Sequence, residues 1–203
     1  MLSFNEANKL LVKAGLALPQ ETVQKLILHA EEVEKYGQLL GLTKASGREL
    51  WLKHTIDSLL ALNFIDGLNP QTILDVGSGA GFPGLPLAIT RPNIQFTLAE
   101  RKQKRLSFLQ GTIALLNIAN TKLIDDIYNF NGKVDVITFR AFSPITLKLV
   151  DSLKPYCKQL VAYTGRLTTA GEQAQSLHKA GFTANTVPLI TTNEERTLLW
   201  VNF

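Results

Sequence analysis

At 203 residues, with an ordinary globular composition (45% hydrophobic) and a formal net charge of +4, the chain has room for one α/β core plus a modest extension and is marginal for two independent domains. Its single cysteine, Cys157, excludes an internal disulfide or a zinc knuckle and suits a reducing compartment. No stretch approaches the ~20 apolar residues of a membrane span, and the first residues, which carry Glu6, lack the basic-then-apolar pattern of a signal peptide, so a cytoplasmic location is expected.

Residues 3–14 read as a short helix, with Ser3 as N-cap and Glu6 three positions on, a capping box. Its apolar stripe is Phe4, Ala7, Leu10, Leu11 and Ala14, and Gly15 ends it. Residues 22–37 form a longer helix with Val23, Leu26, Ile27, Ala30 and Val33 on one face. Gly41 and Gly47 bracket a loop, and 49–62 reads as a third helix carrying Leu52, Ile56, Leu59 and Leu60.

From residue 71 the pattern alternates. Strands are expected at 72–76, 94–99, 121–125, 134–139, 158–163, 183–190 and 197–202. Helices are expected at 84–90, 102–117, 143–153 and 171–179. Short, nearly all-apolar strands with helical crossovers imply a sheet covered on both faces. Between the last two strands lies only 191–195, which reads as a hairpin adding an antiparallel strand to a parallel sheet. The expectation is therefore an α/β, doubly wound, seven-stranded Rossmann-like domain at 67–203, with an N-terminal helical extension at 1–66 packed on it as one structural unit.

The densest signal is the run from Ile73 to Gly84, where an apolar strand enters Gly77, Gly79 and Gly81 at alternate positions. Such a loop lets the backbone pass close to a nucleotide-like ligand. A dinucleotide fingerprint reads G-x-G-x-x-G, but Phe82 stands at its third glycine. The remaining G-x-G-x-G is the form used by S-adenosylmethionine-dependent methyltransferases, and the terminal hairpin also belongs to that variant of the fold. Phe82 is expected to wall the ligand site. Glu100, at the end of the second strand, suits two ribose hydroxyls; a helix cap paired with Lys104 is the plainer alternative. Asp75, inside the first strand, needs a partner, either the loop amides or a cofactor ammonium. At the third strand's end, Asp125 or Asp126, or the Ile127–Tyr128 backbone, can meet an adenine.

Further segments make the chain recognisable. Trp51 to Leu59, Asp75 to Gly84, Lys104-Arg105 with Phe108-Leu109, and Arg140-Ala141-Phe142 together resemble the bacterial 16S rRNA guanine-N7 methyltransferase family, historically called glucose-inhibited division protein B. The resemblance covers nearly the whole chain. It implies S-adenosylmethionine as cofactor, held by Gly77, Phe82, Ile127, Tyr128 and Arg140, with Glu100 at the ribose; the reading of the loop and of the third strand's end adds Asp75, Gly79 and Asp126. It implies as substrate one guanine in the 530 loop of 16S rRNA, alone or in a small-subunit assembly particle. The chain departs from the family at Gly41, where asparagine is usual, at Phe139, where serine is, and at Thr164, where a lysine is; Arg166 stands two residues on.

Guanine N7 already bears a lone pair, so no general base is expected; alignment should supply most of the catalysis. His54 and Asp57, three apart on a helical face, either brace their own helix or orient Arg140 or the base. Lys53, Arg101, Lys104, Arg105, Arg140 and Arg166 are candidates for RNA phosphate, and Phe142 or Tyr163 for stacking on the base. His29, His54 and His178 are too dispersed for a metal site, and Cys157 is expected to be a buried small hydrophobe or a surface accident. A monomer is expected. The competing classes are a small-molecule methyltransferase, an inactive RNA- or cofactor-binding homologue, and, against Phe82 and the hairpin, a dehydrogenase.

Overall fold

The computed structural model describes residues 2–140, 145–189 and 196–203. Helix α1 (Phe4–Lys13) opens on the expected capping box: Glu6 N–H donates to Ser3 Oγ (3.4 Å), and Ser3 N–H donates back to the Glu6 carboxylate (3.0 Å). Helix α2 (Gln20–Gly37) follows, two residues earlier at its start than the periodicity predicts.

The predicted third helix is not uniform. It consists of α3 (Gly47–Leu50), a π-helical turn (Trp51–Ile56) and α4 (Asp57–Leu59), with α5 (Leu62–Gly67) after a short break. The wider π turn keeps Trp51, Thr55 and Ile56 buried, yet carries His54 to the carboxyl edge of the sheet. A 3.6-residue template cannot register this extra residue per turn.

The seven strands are β1 (Thr72–Val76), β2 (Gln95–Ala99), β3 (Thr121–Ile124), β4 (Val134–Arg140), β5 (Cys157–Thr164), β6 (Thr183–Leu189) and β7 (Arg196–Asn202). Their order is β3-β2-β1-β4-β5-β7-β6. The β1 to β5 pairings are parallel, and β7 runs antiparallel between β5 and β6, the expected hairpin. Helices α6 (Gly84–Thr90), α7 (Gln103–Leu115), α8 (Leu147–Leu153) and α9 (Leu167–Lys179) lie between strands. Helix α9 begins four residues earlier than predicted because Ala170 joins Ala174 and Leu177 on its buried stripe. Phe142, residues 143–144 of the predicted helix, residue 190 and the link 191–195 lie outside the described residues.

Neighbouring strand residues feed opposite cores, as the pleat requires. Ile73, Phe96 and Val136 pack with Leu11, Leu26 and Trp51 of the N-terminal helices, while Leu74, Ile137 and Leu160 pack with Val150 and Leu177 of α8 and α9. Both faces are covered, which is why the strands read as nearly continuous apolar runs.

Candidate active site

Strand order reverses between β1 and β4, and a crevice outside the carboxyl ends of strands opens at such a point. The loop after β1 borders one side of it and Arg140, the last residue of β4, the other.

On the loop side, Gly77, Gly79 and Gly81 have φ of 74°, 59° and 92°. At Gly79 an added Cβ would meet nothing nearer than the Gly77 carbonyl at 3.8 Å, so its glycine serves the backbone turn and leaves open space above it. Gly84 is needed for a different reason: a Cβ there would fall 2.3 Å from Leu98 Cδ2 and 2.6 Å from Asp75 Oδ2. Asp75 Oδ2 accepts from Gly84 N–H (3.1 Å), so the carboxylate anchors the loop as one of its two expected roles required. Its Oδ1 is buried without a partner, and burial pushes the carboxyl up to about 7.

Glu100 holds the same loop. Its Oε2 accepts from Gly79 N–H (2.9 Å) and its Oε1 from Lys102 N–H (2.9 Å), so Lys104 is not its partner. Each carboxylate oxygen keeps a second lone pair for a ligand hydroxyl. Asp126 is more engaged than the sequence suggests: it caps a short turn (Ile127–Asn129) by accepting from Tyr128 N–H (3.2 Å), and it pairs with Arg101 Nε (3.1 Å). Ile127 is buried and the Tyr128 ring exposed. Asp125 instead accepts from Asn129.

Phe82, expected to wall the ligand site, is a packed ring. It is 6% exposed, lies 4.8 Å from the His29 ring, stacks on His54 at 5.2 Å and has the Arg140 guanidinium 5.4 Å above it. The ring finds its room inward, against the N-terminal helices.

Beyond it lies a cavity of about 490 Å³ whose walls include Lys53, His54, Asp57, Arg140, Tyr163 and Arg196. The structure brings together the three predicted positioning residues. Arg140 Nη1 donates to Asp57 Oδ2 (3.0 Å) and to the Lys53 carbonyl (2.9 Å), and Nη2 donates to His54 Nδ1 (2.6 Å). A guanidinium cannot accept, so Nδ1 is the lone pair and Nε2–H donates to Thr43 Oγ1 (3.0 Å). Burial, then the Arg140 charge, holds the His54 imidazole down at about 4. His54 and Asp57 thus orient Arg140; neither is available as a base. Asp57 Oδ1 also accepts from Arg196 Nε (2.6 Å).

Sequence reasoning missed Arg196. It begins β7, and only its register against β6 turns it to this edge. Tyr163, a stacking candidate, spends its hydroxyl on the Ser58 carbonyl (2.7 Å), and burial raises its pKa. Phe139 fills the core, and Thr164 donates to the Thr197 carbonyl (2.8 Å). Of the other cations, Lys53 pairs with Glu49, Arg105 donates to the Gly41 carbonyl (2.7 Å), and Lys104 and Arg166 are exposed. Cys157 is buried, its thiol pushed up to about 12. Among the described residues, no cluster could hold a metal ion and no helix is long and apolar enough to cross a membrane.

The model of the GidB family, rRNA small subunit methyltransferase G, matches residues 22–195. The chain belongs to this family. It is 39% identical to the ribosomal RNA small subunit methyltransferase G of Laribacter hongkongensis over 66% of each chain. Against the Nitrosococcus oceani protein of the same name identity is 34%, over 80% of this chain and 77% of that one. The chain therefore spans just under two thirds of the first relative's length and about three quarters of the second's. Among solved structures, magnesium protoporphyrin IX methyltransferase from Synechocystis, with bound S-adenosylmethionine, shares the fold: TM-score 0.59, 15% identity, 88% of this chain and 96% of that one. So does human methyltransferase 10 domain containing protein, TM-score 0.60 at 12% identity, over 88% and 98%. The family is named for methyl transfer to small-subunit rRNA, the fold is the one these solved methyltransferases share, and the cofactor expected from the glycine loop is S-adenosylmethionine. The open space over Gly79 and the orphaned acceptor of Asp75 beneath the loop fit such a cofactor.

Proposed function

We propose that this enzyme methylates N7 of a single guanine in the 530 loop of 16S rRNA. S-adenosylmethionine, when bound, supplies an electrophilic sulfonium methyl. Gly77, Gly79, Asp75 and Glu100 would hold it, with Ile127, Tyr128 and Phe82 bordering the site. The observation that carries the substrate assignment, beside the family, is the state of the cavity's proton carriers. His54 Nδ1 is occupied by Arg140, Tyr163 O–H by Ser58, and both Asp57 oxygens by arginines. Among the described residues of the cavity each of these groups is already hydrogen-bonded, and N7 has no proton to lose. The chain's own residues contribute orientation. Arg140, held by His54 and Asp57, and Arg196 line the cavity and suit contact with an RNA strand, with Lys53, Lys104, Arg105 and Arg166 as outlying phosphate contacts. The enzyme works in the cytoplasm as a monomer without a metal, residues 1–66 and 67–203 acting as one unit.

The test is methyl transfer from labelled S-adenosylmethionine to small-subunit rRNA lacking N7 methylation, as naked RNA and as assembled particle, with the modified base mapped. A single N7-methylguanine in the 530 loop is the expected result. Tight cofactor binding with no transfer to either substrate contradicts it and favours a small-molecule or inactive homologue.

A further inference from the structure

We propose that His29, on α2 of the N-terminal extension, is a positioning residue of the cofactor site: its ring fixes the crest of the glycine loop in the shape that receives S-adenosylmethionine. The inference rests on the reading that this loop takes the cofactor, and it makes α2 a working part of that site.

His29 is fully buried, and its Nε2 lies 2.9 Å from the carbonyl oxygen of Ala80, fifty-one residues away in sequence. A carbonyl can only accept, so Nε2 carries the proton and Nδ1 is a lone pair, buried without a partner. Leaving a buried acceptor unsatisfied is costly. An apolar side chain would fill the place without that cost, so the imidazole is retained for what Nε2–H does. The ring also limits what can stand at Gly81 and packs against Phe82. A Cβ on Gly81 would stand 3.2 Å from Nε2, and the Phe82 ring is 4.8 Å away. Ala80, Gly81 and Phe82 are thus seated on one side chain from outside the sheet domain.

The loop's own hydrogen bonds show why that seat matters. Gly77 and Ser78 N–H donate to the Ala99 carbonyl, Gly79 N–H to Glu100, and Gly81 and Phe82 N–H to the Ser78 carbonyl. Within residues 77–82, Ala80 is the one whose N–H bonds to no described residue. His29 pins the carbonyl of the residue whose amide remains for a ligand acceptor. Burial holds the imidazole down at about 4, so the pinning tautomer persists at neutral pH.

The full-length chain tests this with His29→Phe, which keeps a ring and loses the donor, and His29→Gln, whose side-chain amide reaches about as far as Nε2. S-adenosylmethionine and S-adenosylhomocysteine affinities are measured by calorimetry, with thermal midpoints and the KM for rRNA alongside. Expected for His29→Phe is roughly tenfold weaker binding of both, the order of a buried carbonyl losing its partner, with the rRNA KM little changed. His29→Gln should recover most of that loss. Should His29→Phe not fold, His29→Met provides the donorless comparison. A donorless variant that melts lower but binds both ligands like the wild type overturns the proposal, as does a Gln variant no better than the Phe one. A wild type that binds cofactor yet methylates no rRNA would refute the substrate reading and leave this one intact, since the readout is cofactor affinity.

Discussion

On the cofactor side of the crevice, one contiguous segment from β1 to Glu100 provides the loop and its carboxylates, His29 of α2 holds the loop from outside, and nearly every contact is to main chain. On the proposed substrate side, His54, Asp57, Arg140 and Arg196 meet from a π-helical turn, α4 and two strands, with separations of 83 residues from Asp57 to Arg140 and 139 from Asp57 to Arg196. The first half is a local motif held by backbone geometry. The second is a side-chain network assembled by the sheet, with one carboxylate bonded to two guanidiniums. They should fail differently when altered.

The largest effect is expected at Asp57. Asp57→Ala removes the carboxylate that Arg140 and Arg196 both bond, and removing one partner of a buried pair costs about 3–5 kcal/mol. Denaturant unfolding should show that loss, while the folded fraction retains its affinity for S-adenosylmethionine. A parallel loss of cofactor affinity would erase the distinction between the halves. Next is Gly84→Ala, whose Cβ collides with Leu98 and Asp75. Overpacking of this kind costs about 1–3 kcal/mol, and here the larger signal should be weakened cofactor binding seen by calorimetry, with the Arg140 network intact.

The pH dependence of stability adds a further check, because buried groups of the site titrate with opposite sign. His29 and His54 are held at about 4, below their ordinary value of 6.5, so the unfolded chain binds protons that the folded chain refuses, and stability is lost as pH falls through that window. Asp75 is raised to about 7 from 3.8, so the folded carboxyl keeps a proton that the unfolded one has lost, and stability is lost as pH rises between those values. Two histidines outweigh one aspartate. Urea midpoints should rise with pH between about 4 and 6.5, and more steeply in Asp75→Asn, which removes the opposing slope. An unchanged slope in that variant would mean Asp75 is ionised in the folded protein throughout.

The smallest effect belongs to Lys104→Ala. The side chain is exposed, so stability should change by no more than about 0.5 kcal/mol. If it meets phosphate, the salt dependence of rRNA binding should flatten by about one unit of log–log slope. An unaltered slope removes Lys104 from the interface.

The sequence was legible where structure is local. β1 and α6 occupy the residues the apolar pattern predicts, and the hairpin follows from the short link before β7. The glycine loop, Asp75 and Glu100 stand together because they are near in sequence. Periodicity could not find the π turn, since an extra residue per turn leaves no compositional mark. Nor could it say which charges are consumed: Arg101 is paired with Asp126 and Arg105 is bonded to Gly41, while Lys104 beside them is exposed. Arg196 and His29 escaped for the same reason. Each looks ordinary along the chain and acquires its role from a partner more than fifty residues away.

The most direct test of the divided site is a paired measurement on Gly79→Val and Arg196→Met: calorimetric affinity for S-adenosylmethionine, and kcat and KM for methylation of small-subunit rRNA. Gly79→Val forces a β-branched residue to a φ of 59° over the loop, so cofactor affinity should fall while the KM for rRNA holds. Arg196→Met should do the reverse, with cofactor affinity unchanged and rRNA kcat/KM lowered by about tenfold or more. If Arg196→Met instead weakens cofactor and rRNA in the same proportion, or methylates rRNA as well as the wild type, the two halves are not the cofactor and substrate sides described here.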